Sequence, residues 1–307
     1  MNKRMTLFRS NGIPVGKKVA QKVVANAFRY LFLLAFSYVL IYPIIYMIVN
    51  AVMTSGDYFN PSVQWVPIHF TWENFENAFA SMELGKTLVS TLVNELVAAG
   101  LGIASCAVAA FGLARFNFAG KSVLSALMIL SILVPNAMTI IPSYVNFQNF
   151  HLLDTPFVFW IPSLLGVGLQ GGLFIYIYTQ FFKGLPKEIE EAAWVDGAGT
   201  WRTFLQIVLP SSSVVFVTVT VFSVIWHWND SFLAQMYLTE NFPIGAMMAN
   251  YEGTLGFWLT QTMQMSSFTA AQIVVAACCI ALLPILIFYI IIQKRFIASV
   301  ATSGIVG

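Results

Sequence analysis

The chain has 307 residues, of which 58% are hydrophobic and 9% charged, with a mean hydropathy of +0.78 and a formal net charge of +2. A soluble domain carries about 25% charged residues, so this composition excludes a surface that faces water throughout and points to lipid as the main solvent. Three cysteines inside apolar runs (Cys106, Cys278, Cys279) and three scattered histidines (His69, His151, His227) form no CxxC or Cys/His cluster. The cysteines therefore read as small buried hydrophobes, and metal catalysis has no support.

Residues 1–26 are polar and basic, with no apolar core leading to a small-residue cleavage site. They read as a retained cytoplasmic tail, followed by an uncleaved signal-anchor. A membrane helix needs about 20 mostly apolar residues. Six stretches meet that need: 27–52, 87–113, 123–147, 157–182, 211–233 and 268–292. The fold class expected is an all-α integral membrane protein with a transmembrane domain over 27–293 and a C-terminal tail over 294–307.

Basic residues accumulate on the cytoplasmic side of membrane proteins. The N-terminal segment carries Lys3, Arg4, Arg9, Lys17, Lys18, Lys22 and Arg29. Arg115 and Lys121 follow the second span, Lys183, Lys187 and Arg202 follow the fourth, and Lys294 and Arg295 follow the sixth. Only Lys86 lies in a connection of the opposite side, so both termini are expected in the cytoplasm. The first outer loop, 53–86, holds Asp57, Glu73, Glu76 and Glu83 together with Trp65 and Trp72, whose rings suit an interfacial position.

Pro135 and Pro142 are expected to interrupt the third span and Pro284 the sixth, while Gly166, Gly168, Gly171 and Gly172 crowd the fourth. Proline removes a backbone donor and glycine lets helices approach closely. Glu95 lies within the second span, where an acid is costly and faces a cavity or a partner. Two readings stand side by side: a group lining a translocation path, or a carboxyl satisfied at a helix interface. Asn94, Asn136 and Gln170 pose the same choice between path and interhelical hydrogen bond. Trp228, Asn229 and Asp230, near the outer end of the fifth span, suit either a sugar ring or the membrane interface.

The connection 183–210 after the fourth span is the most informative. Pro186 suits a first helical turn, Glu188, Glu190 and Glu191 favour its positive end, Ile189, Ala192 and Ala193 share a face, and Gly197 can end the helix. A helix lying on headgroups would carry a basic polar face and large apolar anchors. This one is acidic with small alanines, which fits docking to another protein. Gly120-Lys121-Ser122 ends like a phosphate-binding loop, but Arg115 stands where that loop needs its first glycine. The chain itself is therefore expected to bind no ATP.

Glu191-Ala192-Ala193, Gly197, Ile207, Leu209 and Pro210 match in spacing the coupling loop of the inner-membrane permeases of binding-protein-dependent ABC importers, and the chain resembles that family. Ala110–Phe116, Pro135, Ile141-Pro142, Leu153-Asp154-Thr155, Asp196-Gly197-Ala198, Trp228-Asn229-Asp230 and Gln293–Phe296 extend the resemblance to the shorter permease of the maltose-type carbohydrate systems. Glu95 departs from it, standing where many such permeases have serine, as do Ser303-Gly304 and Val306 in the tail.

The resemblance implies a type I importer permease in a bacterial or archaeal cell membrane, itself no enzyme and without a bound cofactor. It implies a heterodimer with a second permease and two ATPase subunits carrying ATP and Mg. It also implies an extracytoplasmic solute-binding protein docking near 239–267 and a carbohydrate, most simply an oligosaccharide, as cargo. Glu190, Glu191, Ala192, Ala193, Asp196, Gly197, Ile207, Leu209 and Pro210 would couple to the ATPases. The rival expectation is a stand-alone secondary transporter or channel, which would show more intramembrane ionisable groups or repeated halves. No nucleic-acid partner is expected.

Overall fold

A computed structural model describes residues 15–262 and 271–303. The start of the N-terminal tail, the end of the outer loop with the first residues of the sixth span, and the last four residues lie outside the described residues. Among the described residues the chain is helical apart from one antiparallel bridge between Met53 and Phe70. It divides into two compact units, Met1–Thr71 and Trp72–Gly307.

In the first unit one helix runs over Val15–Ala51, beginning before the expected span and containing Pro43 without a break. Its apolar side chains are exposed along nearly its whole length, and Phe32–Phe36 and Tyr42–Tyr46 stack at helical spacing. Such a helix, apolar all round, belongs in lipid. A tight loop follows. Buried Asp57 accepts the His69 backbone N–H at 2.5 Å, and the His69 ring Nδ1 lies 3.1 Å from its second oxygen. The Thr71 N–H closes the loop onto Val52 O at 2.9 Å.

The second unit is built around the Leu84–Arg115 helix. Its buried face is small-residued (Ala98, Ala99, Gly102, Cys106, Ala107, Ala110), so Gly171–Gly184, Phe157–Leu164 and Ser213–Trp228 pack closely against it. Ser213–Trp228 also packs on Ala271–Ser303, which continues through the expected start of the C-terminal tail.

Three helices are long and apolar enough to cross a membrane unbroken: Gln21–Ala51, Leu84–Arg115 and Ala271–Ile297. The other three expected spans are broken. Lys121–Leu133 and Asn136–Asn149 meet at 105°. There Pro135 lacks an N–H and holds Val134 extended, at ψ 115°. Pro142 and Pro284, by contrast, sit inside continuous helices, which corrects the expectation that they interrupt them. Membrane helices tolerate proline where neighbouring groups satisfy the freed carbonyls. The fourth span divides into Phe157–Leu164 and Gly171–Gly184 around a turn with Gly166 at φ +73° and Gln170 at φ +61°.

At Gly171 an added Cβ would run into the backbone carbonyl of Gly166. Gly171→Ala is expected to destabilise the folded chain by about 1–3 kcal/mol, as overpacking does, read as a lower thermal midpoint of the purified protein in detergent. In the first unit, the His69 backbone N–H holds the Asp57 carboxyl below its ordinary value of 3.8. Its contribution is present above that value and is lost as pH falls through the depressed one. The His69 amide should stay protected from hydrogen exchange, after correction for intrinsic rate, at pH 5–7 and lose protection only below roughly pH 4.

Candidate functional site: the coupling loop and a polar cavity

The loop after the fourth span folds as a short helix over Glu188–Val195, with all three of its acids in the first turn. It ends in a Schellman motif: Gly197 N–H donates to Trp194 O at 3.0 Å and Ala198 N–H to Ala193 O at 2.9 Å. Gly197 takes φ +82°, a conformation that costs other residues energy, so the expected stop is present. Asp196 caps the helix and is exposed.

The face expected to be shared by Ile189, Ala192 and Ala193 is divided. Ala193 is buried, whereas Ile189 and Ala192 are exposed beside exposed Glu191. Glu190 turns inward instead of presenting its carboxylate outward. It pairs with Arg115 at 2.6 Å, and both side chains are about 95% buried, with exposures of 4% and 5%. Arg115 also donates to Leu185 O at 3.0 Å. One guanidinium at the end of the Leu84–Arg115 helix thus holds both the start of the loop and its helix.

Beyond Gly197 the chain turns helical again over Thr200–Ser211, with a π-helical turn at Phe204–Val208, and then bends 81° into Ser213–Trp228. Phe204 is buried between Phe111 (ring centroids 4.8 Å apart) and Phe182 (6.4 Å). Val208 is buried in the same cluster, Ile207 and Leu209 are half-buried, and Pro210 is exposed at the bend. The outer side of the loop carries Ile189, Trp194, Val195 (88% exposed), Trp201 (63%) and Leu205. These exposed apolar side chains stand beside the exposed Glu188, Glu191 and Asp196.

At the opposite end of the Leu84–Arg115 helix a π-helical turn spans Thr91–Leu96. The turn leaves Val93 O free for the Trp160 indole, which donates at 2.8 Å. It also places Glu95 in a cavity of about 110 Å³, lined as well by Asn136, Thr139, Ser143, His227, Asp230 and Tyr237. Asp154 ties the turn before the fourth span to the segment after Tyr237: it accepts from the Thr239 N–H and hydroxyl, and its own N–H donates to Tyr237 O at 3.0 Å.

Three of the seven expected path residues, Glu95, Asn136 and Asp230, therefore meet in one cavity. Asn94 is buried, donates to Ser90 Oγ at 2.8 Å and lines a separate space with Asp154 and Asn241. Gln170 lines an apolar cavity of about 880 Å³ between the third and fourth spans, which Asn136 also reaches. The Trp228 indole donates to Ala281 O at 3.3 Å in helix packing, and exposed Asn229 donates to Ile225 O of its own helix. Sequence reasoning missed three residues. Arg115 entered as a basic flank and as the residue that rules out a phosphate loop, with no partner assigned, Phe204 went unremarked, and His227 counted as a scattered histidine.

The profile of the binding-protein-dependent transport system inner membrane component matches residues 100–302. The chain belongs to this family. It is therefore a multi-pass permease subunit of an ABC importer, a non-catalytic partner to ATPases and a solute-binding protein, and the stand-alone transporter reading falls. It is 26% identical over 285 residues to the diacetylchitobiose uptake system permease of Streptomyces coelicolor, covering 90% of this chain and 87% of that one. To the melibiose/raffinose/stachyose import permease of Bacillus subtilis it is 25% identical over 262 residues, covering 85% and 89%. A crystal structure of a bacterial ABC transporter that imports the acidic polysaccharide alginate includes a chain of the same fold. Its TM-score is 0.73 at 19% identity, covering 95% of this permease and all of that chain.

Breaking a buried ion pair by removing one partner costs about 3–5 kcal/mol. Arg115→Ala and Glu190→Ala should each lower the thermal midpoint of the permease, and the double variant should be less unstable than the two losses added. A double-mutant cycle on unfolding checks this coupling.

Proposed function

We propose that this chain forms one half of a heterodimeric translocation pathway for a carbohydrate. The cargo class is supported by the sugar-uptake permeases to which the chain is similar along most of its length. Fourteen of the fifteen basic residues lie in, or within three residues of, the tails and alternate connections that positive charge assigns to the cytoplasm, so both termini and the loop 183–210 lie there. The outer loop around 239–267 then faces the solute-binding protein.

The observation that carries the reading is the divided coupling helix. Its inner side is fixed to the Leu84–Arg115 helix by Glu190 and Arg115, while Glu191, Ala192 and the apolar residues to Trp201 remain open. One of two ATPase subunits docks on that open side, with ATP and Mg bound on the ATPases. When ATP closes the ATPase pair, the displaced helix draws the second span with it, and the pathway shifts between inward- and outward-facing states. ATP favours one state only through differential affinity for the two. Glu95, Asn136 and Asp230 line the path within this chain.

The test is made on the assembled importer. Gly197→Leu strains the helix stop, and Glu191→Ala removes an exposed carboxylate from the docking side. Gly197→Leu should cut solute-stimulated ATP hydrolysis and uptake tenfold or more, and Glu191→Ala by a smaller factor, while the ATPases' own nucleotide binding is unchanged. Wild-type uptake in both variants would show that this loop does not couple the subunits.

A further inference from the structure

The cavity around Glu95 carries two acidic side chains, Glu95 and Asp230, with His227 beside them. Glu95 is 1% exposed, His227 3% and Asp230 9%. One Glu95 oxygen, Oε1, and one Asp230 oxygen, Oδ2, are buried without a hydrogen-bond partner. The other Asp230 oxygen is used internally, accepting the Leu233 N–H at 3.2 Å. Both carboxyl groups border the same cavity. Among the described residues no lysine or arginine lines it.

Among the other polar groups, the Asn136 amide and the Ser143 and Tyr237 hydroxyls can donate or accept, and His227 adds an acceptor. His227 Nδ1 lies 2.9 Å from Ser223 O, so that nitrogen carries the proton and Nε2 is left as an acceptor in the neutral ring. The Thr139 hydroxyl is spent on Asn136 O at 3.1 Å. An ionised carboxylate can only accept hydrogen bonds. Buried in a membrane domain without a counter-charge, it is costly, and such acids mark ion or substrate sites.

We propose that this cavity is a binding site for a small monovalent cation, held between Glu95 Oε1 and Asp230 Oδ2. The space of about 110 Å³ admits a charged group of a few heavy atoms and not a whole saccharide. Two sources share this chemistry: the ammonium group of an amino sugar passing along the pathway, and a free monovalent cation. The inference rests on the reading that this chain lines the path, and it adds that the path selects for positive charge at this point.

The assembled importer in lipid nanodiscs, without its solute-binding protein, is titrated with glucosamine, with glucose as the neutral match, and with sodium chloride against choline chloride. The readout is the thermal midpoint. A saturable rise with glucosamine and none with glucose or sodium supports the site and assigns it to an amino sugar. A rise with sodium that choline does not reproduce supports the site and assigns it to a free cation. In either case Glu95→Gln and Asp230→Asn should weaken the apparent affinity tenfold or more. Equal responses to glucosamine and glucose together with equal responses to sodium and choline would overturn the proposal on the wild-type protein alone. A cation response that both variants retain would overturn it too. ATP hydrolysis stimulated by the solute-binding protein, measured on the same wild-type preparation, separates this failure from failure of the permease reading.

Discussion

The ion pair between Arg115 and Glu190 joins the end of the central helix to the short helix that follows the fourth span. It is short, almost fully buried, and placed where the central helix ends and the coupling loop begins. Most ion pairs at protein surfaces contribute little. This one differs because neither charge can return to water without moving the loop. Leu185 O shares the guanidinium, and Phe204 inserts its ring between Phe111 and Phe182 directly behind. Aromatic pairs of this kind add about 0.5–1.5 kcal/mol beyond their buried area. The loop is thus attached to the helix bundle by a charge pair, a backbone contact and a ring cluster.

This arrangement assigns opposite duties to adjacent glutamates. A helix of eight residues that leaves one side exposed and turns the other to its own bundle must alternate within a single turn. Glu190 faces in and Glu191 faces out because they are consecutive, about 100° apart around the axis. The Schellman stop at Gly197 then reverses the chain so that Phe204 returns to the bundle. Farther along the same central helix, the π-helical turn at Thr91–Leu96 brings Glu95 to the cavity. One continuous helix therefore reaches from the loop 183–210 to the cavity around Glu95.

Much of this was legible in the sequence. Hydropathy located three unbroken spans and two bent ones, and the spacing of 186–197 located the short helix and its glycine stop. Breaks were read less well, because a proline's effect depends on which neighbours satisfy the carbonyl it frees. Pro135 bends the chain sharply, while Pro142 and Pro284 do not. Facing was the least legible. Helical periodicity groups Ile189, Ala192 and Ala193, but it cannot show that Arg115, 75 positions before Glu190 in the chain, claims that acid. Nor can it show that the π-helical turn rotates Glu95 toward Asp230, since such a turn has no distinctive residue pattern.

Rigid attachment of the coupling helix to the central helix is tested most directly by distance. Spin labels at Val195→Cys and Val108→Cys, both exposed positions, can be followed by pulsed EPR in the assembled importer with and without ATP. If the Arg115–Glu190 pair carries motion into the bundle, the two labels keep one narrow distance in both states, while distances from either label to the second permease change. A shift of several ångströms between these two labels on adding ATP would contradict it, since the loop would then be moving independently of the helix it is meant to drive.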